Sequence, residues 1–108
     1  FVNVFYTSTL HAAILDGCQP NNIYPNSGDI VICDSCLGCY INCDSDNQCN
    51  NITVNSSAFR TIINCNGINS CQGSVFNFYT SNVPESICNG INVDCTADGA
   101  CMGTQFDV

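Results

Sequence analysis

The chain has 108 residues, of which eleven are cysteine, nine are acidic and one, Arg60, is a strong cation, giving a formal charge of −8. That charge repels phosphate backbones and anionic lipid surfaces, which excludes nucleic acid as a partner. No apolar run approaches the roughly 20 residues of a membrane-spanning helix, so no membrane insertion is expected. Cysteine at about a tenth of a small chain reads as a disulfide scaffold made in an oxidising compartment, and the expected location is extracellular, by secretion. The chain opens on Phe1 without a basic region and apolar stretch, so any signal peptide is expected to have been removed or to lie outside it.

The residue mix is poor in strong helix formers and rich in Ile, Val, Phe, Thr, Asn and Ser, which predicts an all-β fold. In chain order, Phe1–Tyr6 is the first candidate strand, and residues His11–Leu15 are the one stretch able to make a helical turn, ending at Asp16-Gly17. Residues 18–29, with Gln-Pro-Asn-Asn and Tyr-Pro-Asn-Ser-Gly, are loop chemistry. Strands are then predicted over 29–33, 37–43, 51–54, 59–65, 74–79, 86–88, 90–95 and 103–108. The turns between them include Asp44–Asn47, Asn66-Gly67, Asn89-Gly90 and Asp98-Gly99. One domain over 1–108 is expected, with 1–29 an N-terminal strand and loop segment and 30–108 a repetitive body.

The repeat is written in cysteine. Cys65-Asn66-Gly67-Ile68-Asn69 returns as Cys88-Asn89-Gly90-Ile91-Asn92, and the steps from Cys43 to Cys65 and from Cys49 to Cys71 are of nearly the same length. Periods in the twenties predict stacked coils, so the expected fold is a disulfide-rich parallel β-solenoid (β-helix) with coils of about 22–30 residues. The alternative is a small disulfide-rich β-sandwich. Inward residues are expected at Ile62, Ile68, Val75, Phe76, Phe78, Ile87, Ile91, Val93 and Phe106.

All eleven cysteines, Cys18, Cys33, Cys36, Cys39, Cys43, Cys49, Cys65, Cys71, Cys88, Cys95 and Cys101, are candidate disulfide residues. Four pairs share a five-residue gap: Cys33/Cys39, Cys43/Cys49, Cys65/Cys71 and Cys95/Cys101. Bridges within each turn are favoured over a ladder between coils, although stacked strands about 4.8 Å apart permit either. The odd count leaves one cysteine for an intermolecular bond or a free thiol. Metal is not expected: Cys33-x2-Cys36-x2-Cys39 is the only knuckle-like cluster and His11 the only histidine.

Asn51-Ile-Thr53 and Asn55-Ser-Ser57 are glycosylation sequons, with a weaker Asn69-Ser-Cys71. Asn51 and Asn55 are the candidate sites for covalent glycans, on one face if the segment is extended. No catalytic residue or cofactor is expected and the chain does not read as an enzyme. His11 is a lone histidine among oxidised cysteines, and the carboxylate pairs Asp44/Asp46 and Asp94/Asp98 lack cations to hold an acidic sugar. Asp44-Ser-Asp46-Asn47 begins like a calcium loop, but positions six and twelve are Cys49 and Asn55 rather than glycine and glutamate.

The ends matter for partners. Val2–Ser8 matches Val75–Ser81 at five of seven positions, and neither Phe1–Phe5 nor Gly103–Val108 is a polar cap. A solenoid without caps offers open strands to its neighbours, so the expected partner is self, in a head-to-tail homopolymer.

The unit Cys65-Asn-Gly-Ile-Asn-Ser-Cys71-Gln-Gly-Ser74, with Cys95–Thr104 and, more loosely, residues 33–63, resembles the cysteine-rich parallel β-helix repeats of large extracellular surface and fibre proteins of protists and algae. The rhythm departs at Cys88, where six positions rather than five intervene before Cys95, and the step from Cys65 to Cys95 is longer than the others. The resemblance implies an extracellular structural role. The expected function is a subunit of an extracellular filament or surface coat, disulfide-stabilised and glycosylated; the alternative is a secreted carbohydrate- or ligand-binding β-solenoid module. Thr53, Thr61, Thr80, Thr96 and Thr104 keep no common period of the kind a regular ice-binding face needs.

Overall fold

The computed structural model describes residues 13–79 and 90–107. The candidate strands at Phe1–Tyr6 and 86–88, together with His11, Ile87 and Cys88, lie outside the described residues. Eight strands and no helix make up the described chain: β1 Ile14–Asp16, β2 Ile30–Cys33, β3 Gly38–Asn42, β4 Thr53–Ser56, β5 Arg60–Asn64, β6 Val75–Phe78, β7 Gly90–Asp94 and β8 Gln105–Asp107. The fold is therefore all-β and disulfide-rich.

Two sheets form, in the orders β1-β2-β4-β6-β8 and β3-β5-β7, and every strand pair is parallel. The chain visits the sheets in turn, so β2 and β3, β4 and β5, and β6 and β7 each make one layer across both. Register follows from the alternation of buried and half-buried residues, because a slip of one would turn the apolar set outward. It stacks Val31, Val54, Phe76 and Phe106 in one inward file and Ile41, Ile63 and Val93 in another.

Several expectations are corrected. Ile14 and Leu15 belong to a strand rather than a helical turn, because β2 offers a parallel edge that Ile14–Asp16 pairs with residue for residue. In β5 the inward positions are Thr61 and Ile63; Ile62 faces out, one place away on the pleat. Ile68 is exposed because it lies in a turn, and Val75 faces the outer side of β6. Phe76 and Phe78 are buried as expected. The echo of Cys65–Asn69 at Cys88–Asn92 is not a structural repeat: Gly90–Asp94 pairs with Arg60–Asn64, so Cys95, not Cys88, follows in the place of Cys65. Likewise Gly90 opens β7 instead of making a turn.

The interior corner between the sheets changes chemistry from layer to layer. Cys33 and Cys39 are bridged, and one layer on their register partners Ser56 and Thr61 share a buried 2.7 Å hydrogen bond. In the next layer the same two places hold Phe78 and Ile91. On the other side lie the long turns, each closed by a Cys-x5-Cys bridge: Cys43–Cys49, Cys65–Cys71 and Cys95–Cys101. A fifth bridge, Cys18–Cys36, ties the loop before β2 to the corner after it. By the loop-entropy relation each short bridge contributes about 2 kcal/mol and the longer one about 3 kcal/mol.

Candidate assembly surface

The long turns are built alike. Asn47, Cys49 and Asn51 have positive φ, as do Asn69, Cys71 and Gly73, and Gly99, Cys101 and Gly103. This alternation aims backbone groups at the next turn. Asn47 N–H donates to Ile68 C=O and Asn69 N–H to Asp98 C=O, while Asn51 N–H donates to Gln72 C=O and Gly73 N–H to Met102 C=O. Side chains extend the stacking. Asp44 and Asp46 carboxylates accept from Asn66 and Ile68 N–H at 3.2 and 2.9 Å, and the Asn66 side chain accepts from Thr96. The calcium-like start at Asp44–Asn47 is thus occupied in holding the following turn.

One end of the stack is partly covered: the loop before β2 lies over β3, while the outer edge of β1 has no strand partner among the described residues. Pro25 is fully buried, and the Asp29 carboxylate, itself buried, accepts from Ala13 N–H at 3.1 Å and Asn26 N–H at 2.8 Å. Ile23 bridges in parallel to Ile41, and Gly17 packs so closely on the Cys33–Cys39 bridge that a Cβ there would overlap the sulfur.

The other end is bare among the described residues. Phe76 is 0% exposed, but Phe106, next in its file and packed edge-on against it with centroids 5.5 Å apart, is 49% exposed. Thr61 is 1% exposed and Ile91, its partner in β7, 51%. The buried Cys65–Cys71 bridge is followed by a half-buried Cys95–Cys101, with Met102 exposed beside it. The backbone groups on the outer edges of β7 and β8 have no strand partner among the described residues. Asp94, Asp98 and Asp107 lie in this last layer.

No protein-family model matches the chain, and neither does any curated protein or solved structure.

Of the candidate site residues, ten cysteines are paired as above, and Cys88 lies outside the described residues. Sulfur triplets Cys43/Cys65/Cys71 and Cys65/Cys95/Cys101 come within 4.8 Å, but all these sulfurs are in bridges, so the clusters are stacked cystines. Asn51 and Asn55 do not share a strand face, which corrects the expectation from spacing: Asn51 is an exposed turn residue at φ 58° and Asn55 a half-buried one in β4. The Asn55 side-chain oxygen accepts from Asn77 at 2.8 Å. Of the strand expected over 103–108, Gln105–Asp107 is a strand, Gly103 lies in the preceding turn, and Val108 lies outside the described residues; the bareness of its outer edge needed the register.

Proposed function

We propose that this protein is a structural subunit of an extracellular filament or surface coat, in which copies stack head to tail on a continuous parallel β-solenoid. All-parallel pairing with the chain alternating between two sheets fits coils, whereas a sandwich is ordinarily built from antiparallel hairpins and Greek keys. The register partners Ile30, Thr53, Val75 and Gln105 mark successive coils, the first two nearly equal in length and the last one longer.

The observation that carries the reading is the exposure of Phe106 and Ile91, whose register partners in the preceding layer, Phe76 and Thr61, are buried. Exposed apolar residues beside unpaired strand edges are an adhesive surface, and a heterologous contact that does not close makes a filament. Five disulfides support secretion into an oxidising space. Stability comes from cross-linked turns and stacked backbone, no reaction is assigned, and sugars on the exposed Asn51 turn would leave the strand edges free. The alternative of a ligand-binding array draws no support from the threonines: Thr53 stands between Ile30 and Val75 in its file, and Thr61 is buried. Electron microscopy of native, non-reduced protein tests the proposal. Filaments support it, and particles that stay monomeric at high concentration overturn it.

A further inference from the structure

We infer that the last two long turns form a thiol–disulfide exchange site: a small dithiol opens Cys95–Cys101, and the Cys95 thiolate then attacks Cys65, turning a bridge within one turn into a bridge between two. The inference stands on the stacking of the turns and is independent of the filament reading. The Sγ atoms of Cys65, Cys95 and Cys101 all lie within 4.8 Å of one another, so both ends of the outermost bridge lie close to one sulfur of the bridge beneath.

Burial decides where a reagent enters. Exchange needs a thiolate in contact with the sulfur it attacks, so access selects the bridge that a thiol in solution opens. The cysteines of Cys33–Cys39, Cys43–Cys49 and Cys65–Cys71 are each 1% exposed or less. Cys95 and Cys101 are half-buried, and so are Cys18 and Cys36. The two accessible bridges differ in what lies behind them. Cys18 and Cys36 belong to no sulfur triplet among the described residues, and their sulfurs lie 3.7 and 3.4 Å from the Asp34 and Gly38 carbonyl oxygens. Opening that bridge therefore leads no further. Cys33–Cys39 is set apart too, since Ser56 and Thr61 take its place in the next layer.

The dithiol gives two electrons and two protons to Cys95–Cys101 and closes into a cyclic disulfide. Cys95, deprotonated to its thiolate, bonds to Cys65 Sγ as the Cys65–Cys71 bond breaks; Cys71 leaves with the electron pair and takes up a proton. This second step is redox-neutral, so one dithiol leaves one new bridge and two thiols, on Cys71 and Cys101. Register supplies the geometry of the product. Asn64 pairs with Asp94, and Cys65 N–H donates to Asp94 C=O at 2.7 Å, which sets Cys65 and Cys95 side by side on neighbouring layers. Stacked strands stand about 4.8 Å apart, inside the Cα range of about 4.4–6.8 Å that a disulfide accepts. The new bridge also closes a longer loop than either bridge it replaces, which restricts the unfolded chain more.

The test uses the full oxidised chain, native and at mildly alkaline pH, with limiting dithiothreitol, an acid quench, alkylation by N-ethylmaleimide and peptide mapping by mass without further reduction. A Cys65–Cys95 bridge is expected, with label on Cys71 and Cys101, while Cys18 and Cys36 take label as a pair and form no new bridge. Cys43–Cys49 should open at least about tenfold more slowly than Cys95–Cys101, being out of reach of the reagent. Cys101→Ser creates the nucleophile without any reductant, and in that variant Cys95 is expected to be bridged to Cys65 with the label on Cys71. Label on Cys95 and Cys101 together while Cys65–Cys71 stays closed would overturn the exchange, as would all bridges opening at one rate. So would a Cys101→Ser protein in which Cys95 is free or bridged to a cysteine other than Cys65.

Discussion

Gly67 and Gly90 occupy the same place in the sequence echo Cys-Asn-Gly-Ile-Asn, and the structure gives them opposite tolerance for a side chain. Gly67 is buried where its turn lies on the preceding one, and a Cβ there would overlap the backbone carbonyl of Ser45. Gly90 opens β7 with no atom within 4 Å of such a Cβ, and neither glycine has a positive φ that would penalise alanine by itself. In Gly67→Ala backbone meets backbone, so the turns must part; overpacking of this kind costs about 3 kcal/mol. Parting also stretches the flanking bonds from Asn66 and Ile68 N–H to Asp44 and Asp46, about 1 kcal/mol more, against about 0.8 kcal/mol regained from a less flexible unfolded chain. The net loss is about 3 kcal/mol, a fall of roughly 2 M in the urea midpoint at a slope of about 1.5 kcal/mol/M. Gly90→Ala should stay within about 0.5 kcal/mol of the parent, on the stable side. Urea unfolding of both variants, with bridges intact, decides the matter. Equal midpoints for Gly67→Ala and the parent, or an equal fall for Gly90→Ala, would refute the stacked-turn geometry.

Three further predictions concern the corner, the sugars and the thiols. Ser56→Ala leaves the buried Thr61 hydroxyl without a partner and takes the acceptor from Ala58 N–H, which should cost about 2–3 kcal/mol, whereas Thr61→Val leaves Ser56 Oγ still accepting from Ala58 at 3.2 Å and should cost about 1 kcal/mol. The double variant should cost less than their sum; strict additivity in a double-mutant cycle would show the two hydroxyls do not interact. In a eukaryotic secretory host, peptide mapping should find sugar on exposed Asn51 and not on Asn55, which β4 and the Asn77 amide hold; the reverse occupancy would contradict the placement. Alkylation of denatured, non-reduced protein should label no cysteine other than Cys88, and a label on any of the other ten would break the five-bridge pattern.

Strand positions were legible because β-branched and aromatic runs here stand between asparagine and glycine turns, and each of β2 to β8 overlaps a strand expected from that pattern. The regular Cys-x5-Cys gap likewise pointed to bridges within turns. What the sequence hid was register. Ile62 and Ile63 are adjacent and equally apolar, and only pairing with Tyr40 and Ile41 decides which turns inward. The Cys65 and Cys88 echo misled because local identity carries no information about which strand a segment pairs with; the longer excursion between β6 and β7 shifts the match to Cys95. The Ser56–Thr61 pair was invisible as a counterpart of Cys33–Cys39, since hydroxyls and sulfurs share a position there without sharing a pattern. The exposed last layer was legible only as an uncapped end, because exposure of Phe106 follows from the file it terminates.

Fibre diffraction on aligned native material, with electron microscopy of the same sample, tests head-to-tail stacking most directly. Strands crossing the filament axis predict a meridional reflection near about 4.8 Å, and the five stacked strands of the longer sheet among the described residues set an axial repeat of at least about 24 Å per subunit. Monodisperse single particles at every concentration, or filaments in which that strand spacing runs across the axis, would contradict the account.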